Sequence, residues 1–178
     1  PNHRRINISP IPGIGGLAIV AAFWLAVMVF GKLDGQVLWI LVGSTIITVT
    51  GLIDDVKDLS PWLKLLLQIG AAVLVVSLGN VKIEFVRLPF SMRYVGFGNL
   101  AIPLTVFWIV GVTNALNFID GLDGLAAGTA GIASTTLLIV ALLQGSFANA
   151  ILLAALAGSC FGFLKYNFNP AQIFMGDT

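Results

Sequence analysis

Six apolar stretches, at about 14–30, 37–53, 63–78, 100–116, 125–143 and 147–164, constrain this chain more than any other feature. Each approaches the roughly 20 residues that a helix needs to cross about 30 Å of hydrocarbon. Few polar groups interrupt them: Lys64 and Gln68 in the third, and scattered Ser, Thr and Gly elsewhere. Lys64 lies near its span's start, where its stem can reach back to the interface. With 58% hydrophobic and only 10% charged residues, the composition departs from the roughly quarter-charged balance of a soluble domain. The expected fold is therefore all-α: an integral membrane protein, a polytopic bundle of about six transmembrane helices forming a single domain over 1–178.

The connections refine this picture. "GKLDGQ" and "QGSFAN" are short and contain Gly, as between antiparallel neighbouring helices. The longest connection, 80–98, alternates Val81, Ile83 and Phe85 with Lys82 and Glu84, the period of a half-buried strand. It predicts a small β-hairpin, with Pro89 at an edge or turn. Ala154, Gly158 and Gly162, spaced by four, would let a neighbouring helix approach closely. Cys160 reads as a buried small residue, and a single cysteine forms no internal disulfide.

Several function classes are excluded. The net charge is +1 with no basic run, so nothing supports a nucleic-acid footprint. No Cys or His cluster matches a zinc site, and "PGIGG" lacks the full dinucleotide or P-loop pattern. The leader "PNHRRINISP" lacks the apolar core of a signal peptide, and the chain reads as a piece of something longer.

Counting crossings assigns each polar connection to a face. The leader with His3, Arg4 and Arg5, "IDDVKDLSPW", "NALNFIDGLDG" and "KYNFNPAQIFMGDT" all fall on one side. Six of the eight acidic residues lie there: Asp54, Asp55, Asp58, Asp120, Asp123 and Asp177. Only Asp34 and Glu84 lie opposite. The nine Lys and Arg divide five to four, so the positive-inside rule gives no orientation.

If the second helix continues past Ile53, Asp54 and Asp58 stack on one side, with Asp55 about 100° away. Asn114, Asn117, Asp120 and Asp123 recur every third position, along one slowly turning stripe if the segment is helical. Gly121 and Gly124 would open that helix and turn backbone N–H groups toward a ligand. The competing structural reading makes Asp120 or Asp123 the N-cap of the fifth helix, which accounts for one aspartate. Amides within the fourth span should face protein or water. Oxygen ligands from several loops on one face suit a hard cation such as Mg²⁺, and metal-assisted phosphate chemistry at a membrane surface.

"PNHRRINISPIPGIGG", "GLIDDVKDLSPWLKLLLQ", "NALNFIDGLDGLAAG" and "FMGDT" occur in the order found in the polyprenyl-phosphate N-acetylhexosamine-1-phosphate transferases, glycosyltransferase family 4, which this chain resembles. The resemblance implies transfer of N-acetylhexosamine-1-phosphate, GlcNAc-1-phosphate first among these, from a UDP-sugar to undecaprenyl phosphate with release of UMP, starting envelope polysaccharide synthesis. It implies a multi-pass protein of the bacterial cell membrane with its active site on the cytoplasmic face, so the hairpin becomes extracytoplasmic. Asp54 and Asp55 match the family's catalytic acidic pair, and Asn117 and Asp177 its Mg²⁺ positions, with Mn²⁺ as an alternative ion. Asp58, Asp120, Asp123, His3, Gly15 and Gly16 fall to substrate binding. A homodimer is left open. The motifs look less like the phospho-N-acetylmuramoyl-pentapeptide transferase, which stands as the alternative activity. Family members usually begin with a further span and continue with others and a His-containing loop. Outside the family, a cation transporter, whose site would lie near the bilayer midplane, and an inactive membrane fragment are the competing classes.

A phosphate monoester has a second pKa of about 6, so the acceptor is already largely a dianion at neutral pH. Positioning and charge neutralisation therefore matter more here than proton abstraction. An aspartate beside that phosphate repels it unless Mg²⁺ or a basic residue intervenes.

Overall fold

The computed structural model describes residues 15–88 and 93–176. Along them run α1 (Gly15–Phe30), α2 (Gly35–Lys57), α3 (Pro61–Leu78), β1 (Phe85–Arg87), β2 (Tyr94–Gly96), a 3₁₀ turn (Gly98–Leu100), α4 (Ala101–Ile119), α5 (Leu125–Leu143) and α6 (Phe147–Asn167). The helices from α2 to α6 are long and apolar enough to cross a membrane, while α1 has 16 residues, about 24 Å at 1.5 Å per residue. The protein is a polytopic helical membrane protein. Between 11% and 33% of the apolar windows of the five long helices is buried within this chain.

The polar residues inside the spans are satisfied locally. Thr45, Thr48, Thr50, Thr113, Ser134, Thr135 and Ser159 each donate the hydroxyl to the carbonyl four residues earlier. A hydroxyl paired with its own helix costs little in a medium without water. Helix starts follow ordinary capping chemistry. Asp34 Oδ1 accepts from the Val37 N–H at 2.8 Å, and Ser60 Oγ accepts from the Leu63 N–H ahead of Pro61 at the first helical position. Asp34, one of the two acids on the opposite face, is thus employed as a cap.

Packing divides the chain into two compact units, Lys32–Leu116 and the residues on either side of it. In the central unit α2 packs on α3, with Leu41, Ala71, Ala72 and Val76 buried. Gly43 permits the approach: a Cβ there would lie 2.3 Å from Val75 Cγ2. The hairpin is antiparallel, pairing Phe85 with Gly96, Val86 with Val95 and Arg87 with Tyr94. The strand therefore begins at Phe85, and the alternating stretch 81–84 is its approach. There the Ile83 N–H donates to Thr105 Oγ1 of α4 at 2.8 Å. Pro89 lies outside the described residues.

In the other unit α6 packs on both α5 and α1. Its core joins Ile19, Ala127, Cys160 and Phe163, so Cys160 is buried as expected. The small-residue stripe meets no other helix among the described residues: a Cβ at Gly158 or Gly162 would have nothing within 4 Å there, and Ala154 is exposed. The inward face of α6 instead carries Ala150, Ala157, Cys160 and Phe163. Residue size alone does not say which face of a helix meets its neighbour.

Candidate active site

The first acidic motif closes the turn from α2 to α3. α2 runs to Lys57, and Asp58 adopts φ +48°, donating its N–H to the Asp54 carbonyl. The left-handed backbone swings the Asp58 side chain off the helical path, so the stacking of Asp54 and Asp58 expected of a continuous helix does not form. Asp54 instead accepts from the Leu59 N–H through Oδ1 at 2.8 Å and pairs with Lys64 Nζ through Oδ2 at 2.8 Å. The side chains of Lys64 and Asp54 are only 17% and 12% exposed, so solvent screens this pair less than a surface one. Lys64 does not merely reach for the interface; it neutralises Asp54. Asp55 and Asp58 are exposed.

The second motif also departs from a continuous helix. α4 ends at Ile119, so the stripe is limited to Asn114 and Asn117, while Asp120 and Asp123 stand in the following turn. Neither aspartate caps α5. Its N-cap is Gly124, at φ +71°, without a side-chain cap bond. Both carboxylates reach across to the chain after α6. Asp120, buried, accepts from the Gly176 N–H through Oδ2 at 3.0 Å. Asp123 Oδ2 accepts from the Ala171 N–H and from Asn169 Nδ2, each at 3.1 Å.

Asn167 completes this clamp. Its side chain is fully buried, with Oδ1 accepting from the Gly124 N–H at 3.1 Å and Nδ2 donating to the Ile173 carbonyl at 2.8 Å. The N–H expected to face a ligand at Gly124 is therefore taken by Asn167. Gly15 and Gly16, at the start of α1, donate to the carbonyls of Phe174 and Met175 at 3.0 and 2.8 Å. A Cβ at Gly15 would lie 2.7 Å from the Phe174 carbonyl oxygen, so only glycine admits that contact. Gly15, Gly16, Asp120, Asp123 and Asn167 together fix 169–176, the approach to Asp177. His3 and Asp177 lie outside the described residues.

Sequence reasoning missed Asn167 and Lys64 as members of these clusters. Lys64 had a signal, a cation ten residues after Asp54 across a Ser-Pro turn. Asn167 had a weaker one, an amide in the last turn of an otherwise apolar helix.

The donor chemistry fits Mg²⁺. Asn117 is half-buried, with no hydrogen bond to its amide among the described residues, and with Asp177 it offers oxygen ligands only. A magnesium site commonly needs just one or two protein ligands beside water and substrate phosphate. Among the described residues no three Asp, Glu, His or Cys side chains gather as a metal-holding group.

The model of glycosyl transferase family 4 matches residues 37–178, through both acidic motifs to the last residue. The chain belongs to glycosyl transferase family 4. A Bacillus subtilis relative, "Probable undecaprenyl-phosphate N-acetylglucosaminyl 1-phosphate transferase", is 44% identical over 100% of this chain and 50% of its own length. The Mycobacterium leprae "Decaprenyl-phosphate N-acetylglucosaminephosphotransferase" is 36% identical over 100% of this chain and 49% of its own. A "Phospho-N-acetylmuramoyl-pentapeptide-transferase" of Caldanaerobacter subterraneus is 35% identical over 98% of this chain and 58% of its own. The chain thus spans about half the length of the curated relatives it matches.

Proposed function

We propose that the protein carrying this chain transfers N-acetylglucosamine-1-phosphate from its UDP-sugar to undecaprenyl phosphate at the cytoplasmic face of the bacterial cell membrane. The observation that carries this reading is the 44% identity across the whole chain to the Bacillus subtilis relative named as a probable undecaprenyl-phosphate N-acetylglucosaminyl 1-phosphate transferase. The crossing parity supports it, because a soluble nucleotide and a membrane-held lipid meet only at an interface.

In this reading an oxygen of the acceptor phosphate attacks the sugar-linked phosphorus of the UDP-sugar. The bond from that phosphorus to the bridging oxygen breaks, and UMP leaves with that oxygen. No proton has to move, since the acceptor is already largely a dianion. The Asp54–Lys64 pair then places a cation beside the acidic motif and limits repulsion of incoming phosphate. Asp55 and Asp58, both exposed, act on substrate in this reading, Asp55 as the second member of the catalytic acidic pair and Asp58 in binding. Asn117 and Asp177 would hold Mg²⁺, which when bound offsets the charge of the diphosphate. Asp120 and Asp123 act on the nucleotide side by shaping the loop that leads to Asp177, to which Gly15 and Gly16 also donate; His3 of the leader is a further substrate-binding residue in this reading.

The test uses the full-length protein in detergent with UDP-[¹⁴C]GlcNAc and undecaprenyl phosphate. Label should enter the lipid only with Mg²⁺ or Mn²⁺ present, and Asp177→Asn should lower transfer by about 100-fold or more. Absence of transfer from any UDP-N-acetylhexosamine to any polyprenyl phosphate would sink the reading. The similarity at 35% to a phospho-N-acetylmuramoyl-pentapeptide transferase supports a second reading, which exclusive use of the pentapeptide-bearing donor would select.

A further inference from the structure

Gln68 and Asn114 belong to neither acidic cluster. Gln68 is 3% exposed within α3, and its Oε1 accepts from Asn114 Nδ2 of α4 at 2.6 Å. The same Nδ2 donates to the Val110 carbonyl at 2.8 Å. In lipid such groups have no water to turn to, so an amide pair between helices is a directional contact. Lys64 and Gln68 stand four apart on α3 and share a face. That face thus holds Asp54 of α2 through Lys64 and Asn114 of α4 through Gln68. Of its own residues α4 buries only Ala101 and Thr105, both near its start. Asn117 follows Asn114 by one turn along α4.

We propose that Gln68 and Asn114 are positioning residues for the transfer: their hydrogen bond sets the rotation of α4 against α3, and so the direction in which α4 presents Asn117. The role in transfer rests on the activity proposed above, while the pairing stands on the geometry alone. A misplacement of about 1 Å at a reacting site can cost on the order of 100-fold in rate. Breaking the pair should therefore lower kcat with little change in KM, as no substrate contact is removed.

The experiment uses the full-length protein in detergent with five forms: wild type, Gln68→Leu, Asn114→Leu, the double Leu variant, and the exchange Gln68→Asn with Asn114→Gln. The exchange keeps the summed side-chain length and restores an amide pair. Each single Leu variant should lose about 10- to 100-fold in kcat with KM for both substrates within about twofold. The double Leu variant should remain low, because apolar filling cannot orient α4, and the exchange should recover to within about threefold of wild type. Single variants at wild-type kcat, a double Leu variant as active as wild type, or an exchange no better than the singles would each overturn the role. In parallel, ¹⁵N-asparagine NMR follows the Asn114 side-chain amide, which should shift in Gln68→Leu; an unmoved resonance overturns the pairing. Wild-type protein that transfers nothing overturns the activity and the role in it together, whereas the amide resonance still decides the pairing.

Discussion

Replacing Asn167 with Leu should unfasten the loop that leads to Asp177 without unfolding the helices. Leu carries as many side-chain heavy atoms as Asn, so no large cavity is left, and two hydrogen bonds are lost. The substitution strands the Gly124 N–H and the Ile173 carbonyl, now paired at 3.1 and 2.8 Å. A buried group left unsatisfied costs about 1–3 kcal/mol. Gly124 and Ile173 are half-buried, so water recovers part, and the combined cost is about 2–4 kcal/mol. Local opening in this range makes amide exchange faster by roughly 30- to 700-fold. Hydrogen exchange read by mass spectrometry should show the gain in peptides covering 120–124 and 168–176. Those of α2 and α3 should not change, as their unit does not depend on Asn167. Asn167→Asp keeps an acceptor for Gly124 but loses the donor to Ile173, so its effect should concentrate in 168–176. Exchange within about threefold of wild type in Asn167→Leu would refute the clamp.

Asp123→Ala should free the Ala171 N–H and cost about 1–2 kcal/mol in the same exchange assay, whereas Asp123→Asn, which keeps an acceptor, should cost less. Asp54→Asn should remove the carboxylate charge facing the partly buried Lys64 and destabilise by about 1–3 kcal/mol, and adding Lys64→Met should recover part of the loss, both read by thermal unfolding in detergent. Gly43→Ala, whose Cβ would lie 2.3 Å from Val75 Cγ2, should cost about 1–3 kcal/mol through overpacking. Gly158→Ala, with nothing within 4 Å among the described residues, should be neutral or stabilising by about 0.5–1 kcal/mol.

The helices were legible because lipid enforces length and apolarity on every span. α5 matches its expected bounds at both ends, and α2 and α6 run only a few residues further. The acidic motifs were legible as places but not as structures. Asp120 and Asp123 find their partners 56 and 46 to 48 residues away, and no local period reports a contact at that range. Their spacing of three suggested a helix that Gly124, at φ +71°, does not continue. The hairpin was placed a few residues early because alternation marks any extended chain, whether or not a partner strand lies alongside. Asn114, whose role the sequence left open, pairs with Gln68. A signal was present: Gln68 lies seven residues after the start of α3 and Asn114 five before the end of α4, so crossing parity puts the two amides at similar depth from one face.

The most direct measurement follows the phosphorus. The full-length protein is given UDP-GlcNAc labelled with ³²P at the sugar-linked phosphate, together with undecaprenyl phosphate and Mg²⁺. The proposed transfer predicts ³²P in the lipid product, one per sugar, and unlabelled UMP in solution. Sugar appearing in lipid while ³²P stays with released UDP would contradict it, as the bond broken would then be the glycosidic one.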